Sequence, residues 1–120
     1  MSITAQIPYG AYWSTPNVKW QGSFQHLHAI EFAAHVAKDE LAKRDIDPTS
    51  FDYGVLGLTV NQPQSFNGLP WFTNMLGAPE VGGPMINQVC ATGVRCVENA
   101  TMEVEGDMAS LALVATCDRT

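Results

Sequence analysis

Three features of this 120-residue chain predict an α/β fold, a mostly parallel sheet with helices on both faces. Two segments, Tyr53–Val60 and Ser110–Thr116, are apolar without alternation, as strands covered on both sides are. Between them lie stretches whose apolar residues recur at helical spacing. The inferred order is strand, helix, strand, short helix, strand, helix, strand, which builds a parallel sheet through right-handed crossovers. The chain is 46% hydrophobic and 15% charged, enough to bury one core, and its length fits a single domain over residues 1–120.

Ile3 to Trp13 mixes apolar alternation with Pro8 and Gly10 and reads as an edge strand with an irregular middle, because proline cannot donate to a ladder. Ser14-Thr15-Pro16 and Lys19–Phe24 form a polar, turn-rich connection. Phe24, Leu27, Ile30, Ala33 or Ala34, Val36 and Leu41 then support an amphipathic helix from about His26 to Arg44. Pro48 biases Asp47 away from helix and ends it. His28, Glu31 and His35 share one face of that helix. His28 and His35 stand two turns apart, about 10 Å along the axis, too far to hold one metal. They are read as a solvated face, and no metal site is expected.

The strand Tyr53–Val60 contains Gly54 and Gly57, which imply close approach by a neighbouring element. Asn61–Gly68 is a polar loop at the strand's carboxyl end, the edge that faces the ligand crevice in open α/β sheets. Leu69–Leu76 reads as a short helix with Pro70 near its start and Gly77 closing it. Its Trp71, Phe72, Met75 and Leu76 are assigned to the core, with an acyl pocket or a subunit interface as the alternative.

Pro84–Val89 is a short apolar run suited to a buried strand through Met85, Ile86 and Val89. After Cys90 the spacing changes, and Val94, Val97, Ala100 or Thr101, and Val104 mark a helix that stops at Gly106. Cys90 therefore sits at a strand-to-helix corner, beside the first turn of that helix. Amides there lack intrahelical partners and the peptide dipoles add partial positive charge. Both effects stabilise a thiolate and raise its nucleophilic fraction. Small residues at Ala91 and Gly93 let a substrate carbonyl approach the backbone. The competing reading makes Cys90 a small buried hydrophobe. Cys96 is assigned to the core, and Cys117, near a strand's carboxyl end, to burial, with approach to the crevice as the alternative.

Twelve acidic and six basic residues give a formal charge of -6 with no basic cluster, which argues against nucleic-acid binding. Three cysteines without regular spacing make neither a disulfide framework nor a zinc pattern. The N-terminus has no basic or apolar leader region, and no apolar run reaches membrane-spanning length. A soluble, cytoplasmic chain is expected, with no membrane partner.

The run Asn87-Gln88-Val89-Cys90-Ala91-Thr92-Gly93, followed by a helix ending in Gly106-Asp107, resembles the nucleophile segment of the thiolases. These are acyl-CoA acyltransferases that make or break a carbon–carbon bond through a cysteine thioester. The family usually has serine where this chain has Thr92. Ser14-Thr15-Pro16 corresponds to its Arg-Thr-Pro, Lys19–Phe24 to its Lys-Phe-Gly-Gly-Ser-Leu, and Asp45-Ile46-Asp47-Pro48 to its Gly-Ile-Asp-Pro. The resemblance covers nearly the whole chain and is weakest at Thr116-Cys117, where the family has a Gly-Gly turn.

The resemblance implies a thiolase-like layered fold, N-terminal half only, with the loop domain and C-terminal half absent. It implies Cys90 as the catalytic nucleophile, coenzyme A and acyl-CoA as substrates, no permanently bound cofactor, and a homo-oligomer or a companion subunit. The family's activating histidine, second cysteine and part of its oxyanion hole come from segments with no counterpart here. His26, His28 and His35 match no catalytic position. The acidic balance counts against a complete site for phosphorylated coenzyme A in these residues. A noncatalytic scaffold or dimerisation subunit is the main alternative, and a ketosynthase-type relative is a third reading.

Overall fold

The computed structural model describes residues 4–119. Strands β1 (Tyr53–Gly57), β2 (Met85–Ile86) and β3 (Ala112–Thr116) run parallel in the order β2-β1-β3. Helix α1 (Ala29–Lys43) precedes the sheet, α2 (Gly68–Met75) lies between β1 and β2, and α3 (Thr92–Glu105) lies between β2 and β3. Side chains alternate across the central strand. Leu56 and Leu58 meet α1 and α2 in a cluster with Ile30, Leu41, Leu69 and Phe72. Val55 faces α3 and packs with Cys96 and Ala100. The predicted α/β architecture, helices on both faces of a parallel sheet, is what forms.

Gly57 is what lets α3 close on the sheet. A Cβ there would stand 2.7 Å from Cys96 Sγ and 2.8 Å from Thr92 Cγ2. The implied close approach is therefore real, and it corrects the face assigned to α3. Thr92, Cys96 and Ala100 are buried, whereas Val94 is 75% and Val97 41% exposed. The helix carries two stripes, and the sheet accepts the one with small residues because that allows the closest packing. The helix stops at Gly106 as expected, with Gly106 as its C-cap, and the left-handed residue that follows is Asp107.

Pro8 and Gly10 fall in a turn, closed by Ala11 N–H to Pro8 O at 3.0 Å. No strand forms over residues 4–13, and Ile3 lies outside the described residues. The carbonyls of this segment are used elsewhere. Arg44 donates to Gly10 O at 2.7 Å and to Tyr12 O at 3.0 Å, and its guanidinium lies over the Trp13 ring. A ladder partner is thereby replaced by one cation. Helix α1 begins at Ala29, three residues after the expected start, and Asp45 takes the left-handed conformation (φ +56°) where the family's glycine is missing. β1 stops at Gly57 rather than Val60, and β2 is confined to Met85–Ile86. Phe72 and Leu76 belong to the core, and Trp71 and Met75 pack against it half-buried. No helix among the described residues is long and apolar enough to cross a membrane.

Candidate active site

Cys90 lies four residues past β2, in a 3-10 turn, Val89–Ala91, that runs directly into α3. The turn is closed by Ala91 N–H to Gln88 O at 3.0 Å and by Thr92 N–H to Val89 O. Its geometry is strained, because Val89 has φ +50°, a left-handed conformation that a β-branched residue adopts at a cost of about 1–3 kcal/mol. Neighbouring side chains hold it there. Asn87 Oδ1 accepts from Val89 N–H at 3.1 Å. Thr92 Oγ1 accepts from Gln88 N–H at 2.8 Å and donates to Val89 O at 2.7 Å. Arg95 Nε donates to Gln88 Oε1 at 2.6 Å.

The sharp bend leaves Cys90 exposed at the head of a helix. Among the described residues its amide has no acceptor, so one donor stands free beside the thiol. The other cysteines are placed differently. Cys96 is fully buried beneath α3 and burial pushes its thiol up. Cys117 is half-buried, and burial together with the Asp118 charge pushes it up to about 12. Of the three, only Cys90 combines access with a helix start.

His28 is not on a solvated face with Glu31 and His35, as its spacing predicts. It caps α1, with Nδ1 accepting from Ile30 N–H at 3.2 Å and Nε2 donating to Pro63 O at 2.7 Å. Its ring meets the Trp71 ring edge-on at 4.9 Å. The cap turns it off the helix face and spends both nitrogens. Glu31 and His35 are exposed, as expected. No group of three His, Cys, Asp or Glu side chains suited to a metal occurs among the described residues.

Sequence reading passes over Asp118, at the carboxyl end of β3. Its carboxylate accepts from Thr59 N–H (2.8 Å), Thr59 Oγ1–H (2.5 Å) and Val60 N–H (2.8 Å). The Asp118 side chain takes the place of a backbone acceptor for these amides just past the end of β1. Arg119 Nε donates to the buried Gln62 at 3.3 Å, and Gln62 Nε2 donates to Arg119 O at 3.4 Å. Asn87 Nδ2 donates to Thr59 O at 3.4 Å. The only sequence signal is topological: adjacent parallel strands place the residues after them on one edge. Along that edge opens a cavity of about 470 Å³ lined by residues that include Gln62, Phe66 and Met85.

No family model matches the sequence. The acetyl-CoA acetyltransferase of Paracoccus denitrificans is 34% identical over 91 residues, which are 75% of this chain and 23% of the relative. Among solved structures, the acetyl-CoA acetyltransferase of Syntrophomonas wolfei superposes with a TM-score of 0.72 at 24% identity, over 83% of this chain and 26% of its own. The 3-oxoacyl-[acyl-carrier-protein] synthase III of Aquifex aeolicus VF5 gives 0.70 at 18% identity, over 78% and 30%. The chain thus spans about a quarter of the length of its curated relative. The structural likeness gives the fold, shared by both kinds of enzyme, while the sequence likeness is to the acetyltransferase. In fold the chain is thiolase-like, and in sequence it is similar to an acetyl-CoA acetyltransferase.

Proposed function

We propose that these residues are the nucleophile-bearing N-terminal portion of a thiolase-type acyl-CoA C-acyltransferase. Its reaction is thiolytic cleavage of a 3-oxoacyl-CoA, or the reverse Claisen condensation, through a thioester on Cys90. The observation that carries this reading is the exposed Cys90 at the head of α3, with an unengaged amide beside it. The Cys90 thiolate attacks the acyl carbonyl. In the condensing direction the S–C bond forms at an acyl-CoA thioester carbonyl and the bond to the coenzyme A sulfur breaks, that sulfur leaving as a thiolate that takes up a proton. In the cleaving direction the S–C bond forms at the 3-oxo carbonyl, the C2–C3 bond breaks, and the coenzyme A thioester carbanion so released takes up a proton. The free amide and the positive end of α3 polarise the carbonyl oxygen as negative charge develops. Coenzyme A is then a substrate and not a resident cofactor, consistent with the name of the curated relative.

Complete turnover also needs a base. His28 has both ring nitrogens engaged, and His35 faces Asp39 at 3.9 Å on the exposed side of α1. We assign the base, and most of the coenzyme A site, to protein beyond these residues, either further chain or a companion subunit. The test is acyl transfer itself. Incubation of the complete enzyme, with that further chain or companion subunit present, with acetyl-CoA should leave an acetyl group on Cys90, found by peptide mass spectrometry, and Cys90→Ser should abolish the labile thioester. Acetylation at Cys117, or unchanged labelling in Cys90→Ser, contradicts the assignment.

One observation favours the second reading, a scaffold or dimerisation subunit. Val94 and Val97 form an uncovered apolar stripe on α3 of the kind that partners bury. A chain that self-associates through this stripe and takes no acyl group at Cys90 would fit that reading instead.

A further inference from the structure

Asp118 and Asp52 make the same kind of joint at opposite ends of the sheet. Asp52 Oδ2 accepts from Ser110 N–H at 2.8 Å and Oδ1 from Leu111 N–H at 3.0 Å, which ties the start of β1 to the start of β3. Asp118 ties the ends of the same two strands, through Thr59 and Val60. The Asp52 joint reaches nothing more among the hydrogen bonds described. The Asp118 joint continues. Thr59 presents its carbonyl to Asn87 Nδ2, and Asn87 Oδ1 holds the amide of Val89, the strained residue immediately before Cys90.

We infer that Asp118 is a positioning residue for Cys90, acting through Thr59 and Asn87 to hold the left-handed Val89 turn that presents the thiol at the head of α3. An asparagine side chain can take two roles at once, and here both are used, one toward the Thr59 loop and one toward the turn. Its place depends on where the Thr59 carbonyl sits. That carbonyl is fixed by the ionised carboxylate of Asp118, whose bonds to Thr59 and Val60 are charge-assisted. If this joint is lost, Asn87 keeps only its bond to Val89, and the left-handed turn is held less firmly. The thiol is then presented less firmly at the head of α3. Leu58 N–H still pairs with Ile86 O at 3.2 Å, so the sheet itself survives the change.

The inference rests on Cys90 being the nucleophile, and the experiment separates the two claims. The rate of Cys90 alkylation by iodoacetamide is measured in the folded chain and in urea, and the ratio is taken for each variant. In the unaltered chain the ratio should exceed one. Asp118→Asn keeps one oxygen for the Thr59 and Val60 amides but removes the charge and sets an NH2 against the Thr59 hydroxyl, and should reduce the ratio about two- to fivefold, the scale of one helix-end interaction. Asp118→Glu should recover part of it. Asp52→Asn makes the matched change at the other end and should leave the ratio alone. Thr59→Val, which removes only the hydroxyl bond, should shift it less in the same direction and serves if Asp118→Asn does not fold. A high ratio unaffected by Asp118→Asn or Thr59→Val overturns the positioning role while sparing the nucleophile. Equal losses in Asp52→Asn and Asp118→Asn also overturn it, because general loosening then suffices. A ratio near one in the unaltered chain overturns both claims.

Discussion

At the amino end of the sheet, Asp52 closes β1 against β3 using backbone amides, and Tyr53 donates to Asn99 Oδ1 at 2.8 Å. At the carboxyl end, the same two strands are closed by Asp118, but the bonds continue through Thr59 and Asn87 to the strained Val89 turn, next to which Cys90 stands exposed. The first end secures the fold. The second carries strain at Val89 that stability alone does not require, and strain of that kind gathers where a side chain has to be presented. Parallel strands make this asymmetry natural, because all their carboxyl ends open on one edge.

The contrast is tested hardest at the two glycines of β1. Gly57→Ala, toward the carboxyl end, forces a Cβ to 2.7 Å from Cys96 Sγ and 2.8 Å from Thr92 Cγ2. It should cost about 1–3 kcal/mol in urea unfolding, the range for overpacking a tight interior. Gly54→Ala meets Leu69 Cδ1 at 3.1 Å and Val81 Cγ1 at 3.3 Å and should cost clearly less. Equal costs would mean that α3 does not press on Gly57 as described.

Alkaline unfolding should report the carboxyl end. The Cys117 thiol is raised from 9.0 to about 12, so the folded state favours its neutral form. That contribution is complete below about pH 9 and is lost as pH rises from there toward 12. Cys117→Ala should flatten this part of the stability curve, and an unchanged slope would contradict the burial of the thiol. Substitution elsewhere should have smaller effects. Cys96→Ala leaves a small void under α3 and should cost about 1 kcal/mol, whereas Cys90→Ala should stay within about 0.5 kcal/mol, as exposed sites do.

The smallest effect belongs to the amino end. Hydrogen bonds from Leu111 and Ser110 hold the Asp52 carboxyl below its usual value. Its contribution is present above the ordinary carboxylate range and is lost as pH falls through that range to the lowered folded value. The group is exposed, so solvent screening keeps the effect small. Asp52→Asn should remove that part of the acid limb and leave the reactivity of Cys90 unchanged.

Much of this was legible in the chain. The unalternating runs at Tyr53–Val60 and Ser110–Thr116 announced covered parallel strands, and the change of period after Cys90 announced the corner. Val94 and Val97 misled, because periodicity finds apolar stripes without saying which one a sheet accepts. The answer lay in Gly57, a residue in another element. His28 misled for a related reason: spacing placed it on a helix face, but a cap at the first turn bends the chain away from that face. Asp118 was silent because its partners lie 59 and 58 residues away and meet it only once β1 and β3 are neighbours. The segment from Ile3 to Trp13 carried a strand's alternation but no strand forms over residues 4–13, since Pro8 and Gly10 turn the chain and Arg44 takes its carbonyls.

The most direct test of the account compares the three cysteines in one folded sample. Limited iodoacetamide treatment near neutral pH, mapped by peptide, should modify Cys90 first and faster than in the urea-unfolded chain, with Cys96 and Cys117 protected. Modification of Cys117 ahead of Cys90, or a folded Cys90 no faster than the unfolded one, would contradict it.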